Sequence, residues 1–215
     1  TQKTEVESLL DLFEENGVAI GKVEYDFNIS NKQENNVKNL LKNKWGNLTK
    51  NDLLVVLNPG GKREANWWSA ENFGRIAKYL QDKHRAKIII IGGKEDFTKA
   101  DIIKTFLNND NLFIIVNQLE LLEIIELFKR ASFLISNDTG AAHMAAAVGL
   151  PVVGLYCVRN IFGRWFPYGK QHKILYYKFI DCNYRDEKCI KKSVEMITVN
   201  EASVACDEII KEIFK

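Results

Sequence analysis

From residue 51 onward, apolar positions fall in short unbroken runs separated by stretches in which they recur every three or four residues. The runs are "LLVVLN" (53–58), "KIIII" (87–91), "LFIIV" (112–116), "SFLIS" (132–136) and "PVVGLY" (151–156). A strand with one wet face alternates, whereas a strand covered on both faces reads as continuous. Helical stripes separate the runs: Phe73, Ile76, Ala77 and Leu80; Ile102, Ile103 and Phe106; Leu122, Ile125 and Phe128. "KILYY" (173–177) is a candidate sixth strand and 204–214 a closing helix. The alternation predicts an α/β fold with a doubly wound, Rossmann-like parallel sheet.

The first 50 residues follow a different pattern, two amphipathic helices with no strong strand. Thr4 with Glu7 makes a capping box, Val6, Leu9, Leu10 and Phe13 form one stripe, and Gly17 stops the helix. Ser30 with Gln33 repeats the device ahead of Val37, Leu40, Leu41 and Trp45, with Gly46 at the end. "VEYDFNIS" (23–30) alternates and reads as extended.

A chain of 215 residues can bury a substantial core. Its net charge of +2 gives no reason to expect nucleic acid as a partner. The charge is uneven: from Arg159 to Lys192 nine Lys/Arg face three Asp/Glu. That stretch suits a phosphate-rich ligand or an anionic membrane surface, or simply a solvated lysine-rich face. Cys182 and Cys189 lack a second pair at metal-ligand spacing, so no metal site is expected. No apolar run approaches the ~20 residues of a spanning helix, and reduced thiols in a cytoplasmic protein are expected. The opening "TQKTEVESLL", with no initiator Met, suggests a piece of something longer.

Ligands of open parallel sheets bind at the carboxyl ends of strands, so the loops there hold the candidate chemistry. After the first run, "NPGGKREANWW" offers two glycines for close backbone approach and the charges of Lys62 and Arg63. It is not a P-loop, since no Gly-Lys-Ser/Thr follows. After the second, Gly92 and Gly93 permit a tight exit, and Glu95 or Asp96 is a candidate acceptor for ribose hydroxyls; helix capping would also explain these acids. After the fourth, "SNDTGAAHMAAAVG" ends a strand and begins a helix whose first amides, at Thr139, Gly140 and Ala141, form an anion site. His143 lies in the first helical turn, Asp138 suits a hydroxyl rather than a phosphate, and the Ala run lets the helix lie close on the sheet. After the fifth, the aromatic and basic "CVRNIFGRWFPYGK" brings Arg159 and Arg164 as candidate charges for a pyrophosphate.

Together these residues resemble glycosyltransferase family 9, the ADP-heptose:lipopolysaccharide heptosyltransferases. "SNDTGAAHMAA" is similar to the family signature Ser-x-Asp-Thr/Ser-Gly-x-x-His-x-Ala-Ala, and "NPGG", "WWSAENFGRIAKYL", "IGGKED" and "RWFPYG" fall in the family's order. The likeness is good from Asn51 to about Tyr168 and looser outside. It implies the C-terminal, donor-binding half of a GT-B glycosyltransferase, with residues 1–50 a helical segment from the interdomain region and 51–215 the nucleotide-sugar-binding domain.

By that resemblance Asp138, Thr139, Gly140, Ala141 and His143, with Lys62 and Arg63, hold the donor's diphosphate and sugar. Glu95 or Asp96, with Gly92 and Gly93, serves the ribose. The implied donor is ADP-heptose, with no cofactor or metal, and the acceptor is a lipid-linked glycan held by an N-terminal domain that also carries the catalytic base. Such a protein is cytoplasmic and can sit peripherally at the inner face of the bacterial inner membrane. One departure stands out: where the family has a donor-contacting Lys just before a Trp, this chain has Asn66 and Trp67. Lys62 or Arg63 is then the substitute. The family's C-terminal cysteine cluster is also reduced, with Tyr184 and Ser193 where further cysteines often stand. The alternatives are another GT-B enzyme, such as a sugar-nucleotide epimerase, and a non-catalytic nucleotide- or sugar-binding module.

Overall fold

The structure is a computed structural model, and it describes residues 3–159, 161–178 and 186–215. Six strands form one sheet: β1 (Leu54–Asn58), β2 (Lys87–Ile90), β3 (Leu112–Ile114), β4 (Phe133–Asn137), β5 (Val152–Tyr156) and β6 (Lys173–Tyr176). Every pairing is parallel and the spatial order is β3-β2-β1-β4-β5-β6. This is the doubly wound, Rossmann-like topology expected from the apolar runs. "KILYY" is indeed the sixth strand, on the edge beside β5.

Helices cover both faces. Along β1, Val55 and Leu57 point to one core while Leu54 and Val56 point to the other. The first core takes α3 (Ala70–His84), α4 (Phe97–Lys104), α7 (Glu187–Glu195) and α8 (Val199–Ile213). The second takes α2 (Asn31–Trp45), α5 (Leu121–Arg130) and α6 (Gly140–Ala147). Two-sided burial is the physical cause of the continuous runs: every residue of β1, β4 and β5 is buried, while β3 and the edge strand β6 are only partly so. Ala142 and Ala145 of α6 are fully buried among Leu134, Val152 and Leu127, so the small side chains do bring this helix close to the sheet.

Both capping boxes form. Thr4 caps α1 (Glu5–Glu15) with Glu7, and Ser30 caps α2 with Gln33. The two helices then behave differently. Val37 and Leu41 of α2 enter the second core, and Trp45 sets its ring edge-on to Phe113 at 5.9 Å. No residue of α1 is buried, and Leu9 and Phe13 of its apolar stripe are more than half exposed.

Two elements depart from the pattern. α8 starts five residues before residue 204, at a capping box of Thr198 and Glu201 that polar residues conceal from a search for apolar periodicity. α7 was not expected, because Lys188, Lys191 and Lys192 hide a stripe of Cys189, Ile190, Ser193 and Val194 that is buried against the first core. The cysteines depart too. Cys157 and Cys206 are free and buried, but Cys189 is disulfide-bonded, contrary to four reduced thiols. Cys182 lies outside the described residues.

At the amino end of β2, the Lys87 ammonium contacts the Asp52 carboxylate, which also accepts from Thr49 N–H at 2.8 Å. The Lys87 bond first, and the Thr49 amide second, lower the Asp52 pKa from 3.8 to about 2. The folded pKa is the depressed one, so the pair's stabilisation is present above pH 4 and is lost as pH falls toward 2. Asp52→Asn should remove about 2 kcal/mol of unfolding free energy at pH 7 and almost none at pH 2, as measured by urea titration at the two pH values.

Candidate functional site

The strand order reverses between β1 and β4, and the loops leaving their carboxyl ends part there. In such sheets this point makes a crevice. Here a polar cluster beneath the loops gives the crevice its shape. The Asn58 amide donates to Ser136 Oγ at 3.1 Å and to Thr139 Oγ1 at 2.9 Å. The Asn137 amide donates to the carbonyls of Pro59 at 2.9 Å and Gly60 at 3.2 Å, and its oxygen accepts from Trp68 N–H at 3.0 Å. Ser136 and Asn137 are fully buried and Asn58 nearly so. Unbonded, amides at such depth would cost several kcal/mol; bonded, they fix both loops to one geometry. Sequence reasoning gave neither asparagine a role, since each looks like the polar end of a strand.

Above the cluster lies a cavity of about 230 Å³, lined by Gly61, Lys62, Arg63, Asn66, Trp67, Asn137, Asp138, Thr139 and Arg159. Three cations and one carboxylate make its wall net positive. Gly61 adopts φ 153°, which L side chains rarely adopt, and a Cβ there would press on Trp67 and Thr139 at 3.1–3.2 Å. Trp67 is held by a bond from its Nε1 to Gly61 O at 2.9 Å, with the Lys99 ammonium 3.5 Å from its ring centroid. Lys99 in turn pairs with Asp96 at 2.8 Å. Trp67 and Lys99 are thus part of the site's wall and its support, and no local signal pointed to Lys99.

Of the residues proposed from sequence, Lys62, Arg63, Asp138, Thr139 and Arg159 meet at this cavity. Gly140 and Ala141 begin α6 immediately beyond it. The Thr139 side chain makes no capping bond, its Oγ1 instead accepting from Asn58, so it leaves the first amides of α6 uncapped. A Cβ on Gly140 would meet nothing within 4 Å, so packing does not require glycine there. His143 follows in the first turn, half-buried and not among the residues lining the cavity; burial lowers its pKa and so favours the neutral imidazole.

The remaining candidates have other surroundings. Asp96 is 2% exposed, with its oxygens taken by Gly93 N–H at 3.0 Å and Lys99. Gly60 and Gly92 are packed against it: a Cβ on either would lie 2.2 Å and 2.7 Å from its carboxylate. Glu95 is the exposed acid of the pair. Arg164 is not at the cavity; its guanidinium pairs with Glu5 at 2.6 Å and joins the loop to α1. In that loop Phe166 sits edge-on to Tyr156, and Phe162 to Tyr176, with centroids 5.2 and 5.0 Å apart.

A Rossmann-like sheet with a cationic crevice and a helix N-terminus at its switch point has the chemistry to hold an anionic group. The sequence profile of glycosyltransferase family 9 (heptosyltransferase) matches residues 1–194, and the chain belongs to that family. No curated protein sequence matches it significantly. Among solved structures it is similar to a family 9 glycosyl transferase from Veillonella parvula, with 20% identity and a TM-score of 0.81 over 99% of this chain and 61% of that one. It is also similar to the E. coli ADP-heptose lps heptosyltransferase II, with 16% identity and a TM-score of 0.73 over 93% and 57% of the two chains. A third is E. coli heptosyltransferase WaaC, solved with ADP, with 19% identity and a TM-score of 0.65 over 99% and 57%. The chain therefore spans about three fifths of the length of these relatives. Among the described residues no helix is long and apolar enough to cross a membrane.

Asn137→Ala would strand two carbonyls and the Trp68 amide. It should cost about 3 kcal/mol and roughly 10 °C in Tm, read by thermal melting. Lys62→Ala, at an exposed position of the same cavity, should leave Tm unchanged.

Proposed function

We propose that this chain is the donor-binding portion of a heptosyltransferase-like glycosyltransferase, with residues 1–50 an interdomain segment and 51–215 the nucleotide-sugar domain. The donor is an ADP-sugar, ADP-heptose first among them, and the acceptor is a lipopolysaccharide core or related lipid-linked glycan. The observation that carries this reading is the cationic cavity beside the uncapped start of α6. A bound diphosphate would place its negative charge against Lys62, Arg63 and Arg159 and accept from the amides of Gly140 and Ala141. Neutral His143 would donate a hydrogen bond, and Asp138 would accept one from a sugar hydroxyl. Glu95 is the better candidate for the ribose, because the Asp96 carboxylate is already committed.

In an inverting, metal-independent transfer, a base removes the proton of the acceptor hydroxyl, whose oxygen attacks the anomeric carbon as the bond to the nucleoside diphosphate breaks. Charge then gathers on the departing diphosphate. Cations and helix amides set beforehand at that spot lower the barrier without reorganising. The acceptor and the base come from a domain beyond these residues, so this chain alone is expected to bind donor and transfer nothing. A cytoplasmic protein resting peripherally on the inner membrane would meet a lipid-linked acceptor, and the basic 159–192 stretch suits that surface.

Calorimetry with ADP, UDP and GDP tests the reading. ADP should bind more tightly than the other two, and equal or absent binding of all three would exclude a donor site for ADP-sugars. Gly140→Val should leave Tm nearly unchanged while weakening ADP by roughly tenfold, about 1.4 kcal/mol, since the added side chain would occupy only ligand space.

A further inference from the structure

Arg159 follows β5, and Asn66 lies in the short turn after β1, 93 residues earlier; the fold brings them together at the cavity wall. Arg159 Nε donates to Asn66 Oδ1 at 3.1 Å. Its Nη2 is buried and has no hydrogen-bond partner among the described residues. Lys62 and Arg63 line the same cavity from exposed positions, whereas Arg159 is half-buried.

The chemistry of the acceptor matters. A carboxylate at position 66 would hold the guanidinium equally well but cancel its charge, and a lysine would push it away. An amide oxygen fixes the side chain and leaves its full positive charge for another partner. With Nε engaged, the guanidinium keeps its unpartnered Nη2, whose N–H groups can donate to a phosphate oxygen. A half-buried, fixed cation also loses less side-chain entropy on binding an anion than a solvated lysine does.

We propose that Arg159 is the principal cation for the donor's diphosphate and that Asn66 is a positioning residue that orients it without neutralising it. This rests on the donor-site reading above and assigns the role to neither Lys62 nor Arg63. It makes Asn66 a working part of the site rather than a lost lysine.

The test is calorimetry of adenosine, ADP and inorganic pyrophosphate against the whole chain and three variants, with thermal melts to verify folding. Arg159→Ala should weaken ADP and pyrophosphate at least tenfold and leave adenosine unchanged. Asn66→Asp, which keeps the acceptor and adds a negative charge, should give a similar loss and a shallower salt dependence. Arg159→Lys, which keeps the charge but loses the fork, should fall between. ADP affinity retained in Arg159→Ala or in Asn66→Asp would overturn the proposal. So would equal losses for adenosine and ADP, the mark of a merely structural role. If the unmodified chain binds pyrophosphate through Arg159 but prefers no adenine nucleotide, the donor reading falls while the Asn66–Arg159 anion site stands.

Discussion

Two amides buried at the carboxyl ends of neighbouring strands hold this structure's site together. Asn58 and Asn137 lie where β1 and β4 separate, at a depth where an unbonded amide would cost several kcal/mol. Each is bonded across the gap: Asn58 to Ser136 and Thr139, Asn137 to the Pro59 and Gly60 carbonyls and the Trp68 amide. The loops therefore cannot move independently of the sheet. A ligand entering the crevice meets a wall already formed, and little of its binding energy goes into ordering the protein.

The wall has an inner and an outer layer. Asp96, buried under Gly60 and Gly92, takes the Gly93 amide and the Lys99 ammonium, and Lys99 lies against the indole of Trp67. Trp67 faces the cavity, so a carboxylate that never reaches the cavity still sets the position of its aromatic side. Outside this layer lie the charges that a ligand would meet: Lys62, Arg63, Asp138 and Arg159. The same division explains the glycines. Gly60 and Gly92 are small because a carboxylate needs their space and Gly61 because L side chains rarely adopt its φ of 153°, while Gly140 has open space around it among the described residues.

Much of this was legible in the sequence. Two-sided burial writes continuous apolar runs, so the strands and their parallel pairing followed from composition along the chain. The capping boxes of α1 and α2 and the small face of α6 are local chemistry and were equally readable. α7 was missed because lysines interrupt its apolar stripe, and the exposure of α1 because a stripe does not say whether anything covers it. At the candidate site, "SNDTG" supplies Asn137, Asp138 and Thr139 to the cavity wall, yet Asn137 within it passed as filler.

What the sequence determined by itself was the set of elements, their order and the loops able to hold chemistry, because these depend on neighbours within a few residues. The tertiary structure decided which of the marked residues work together. Asp96 and Glu95 are adjacent acids with the same local credentials, and only packing against Gly60 buries one and leaves the other to solvent. Arg159 and Arg164 share one basic loop, but one meets Asn66 at the cavity and the other meets Glu5 on α1. Those partners are 93 and 159 residues away in the chain. Contacts of that range exist only once the sheet has brought its strand ends side by side.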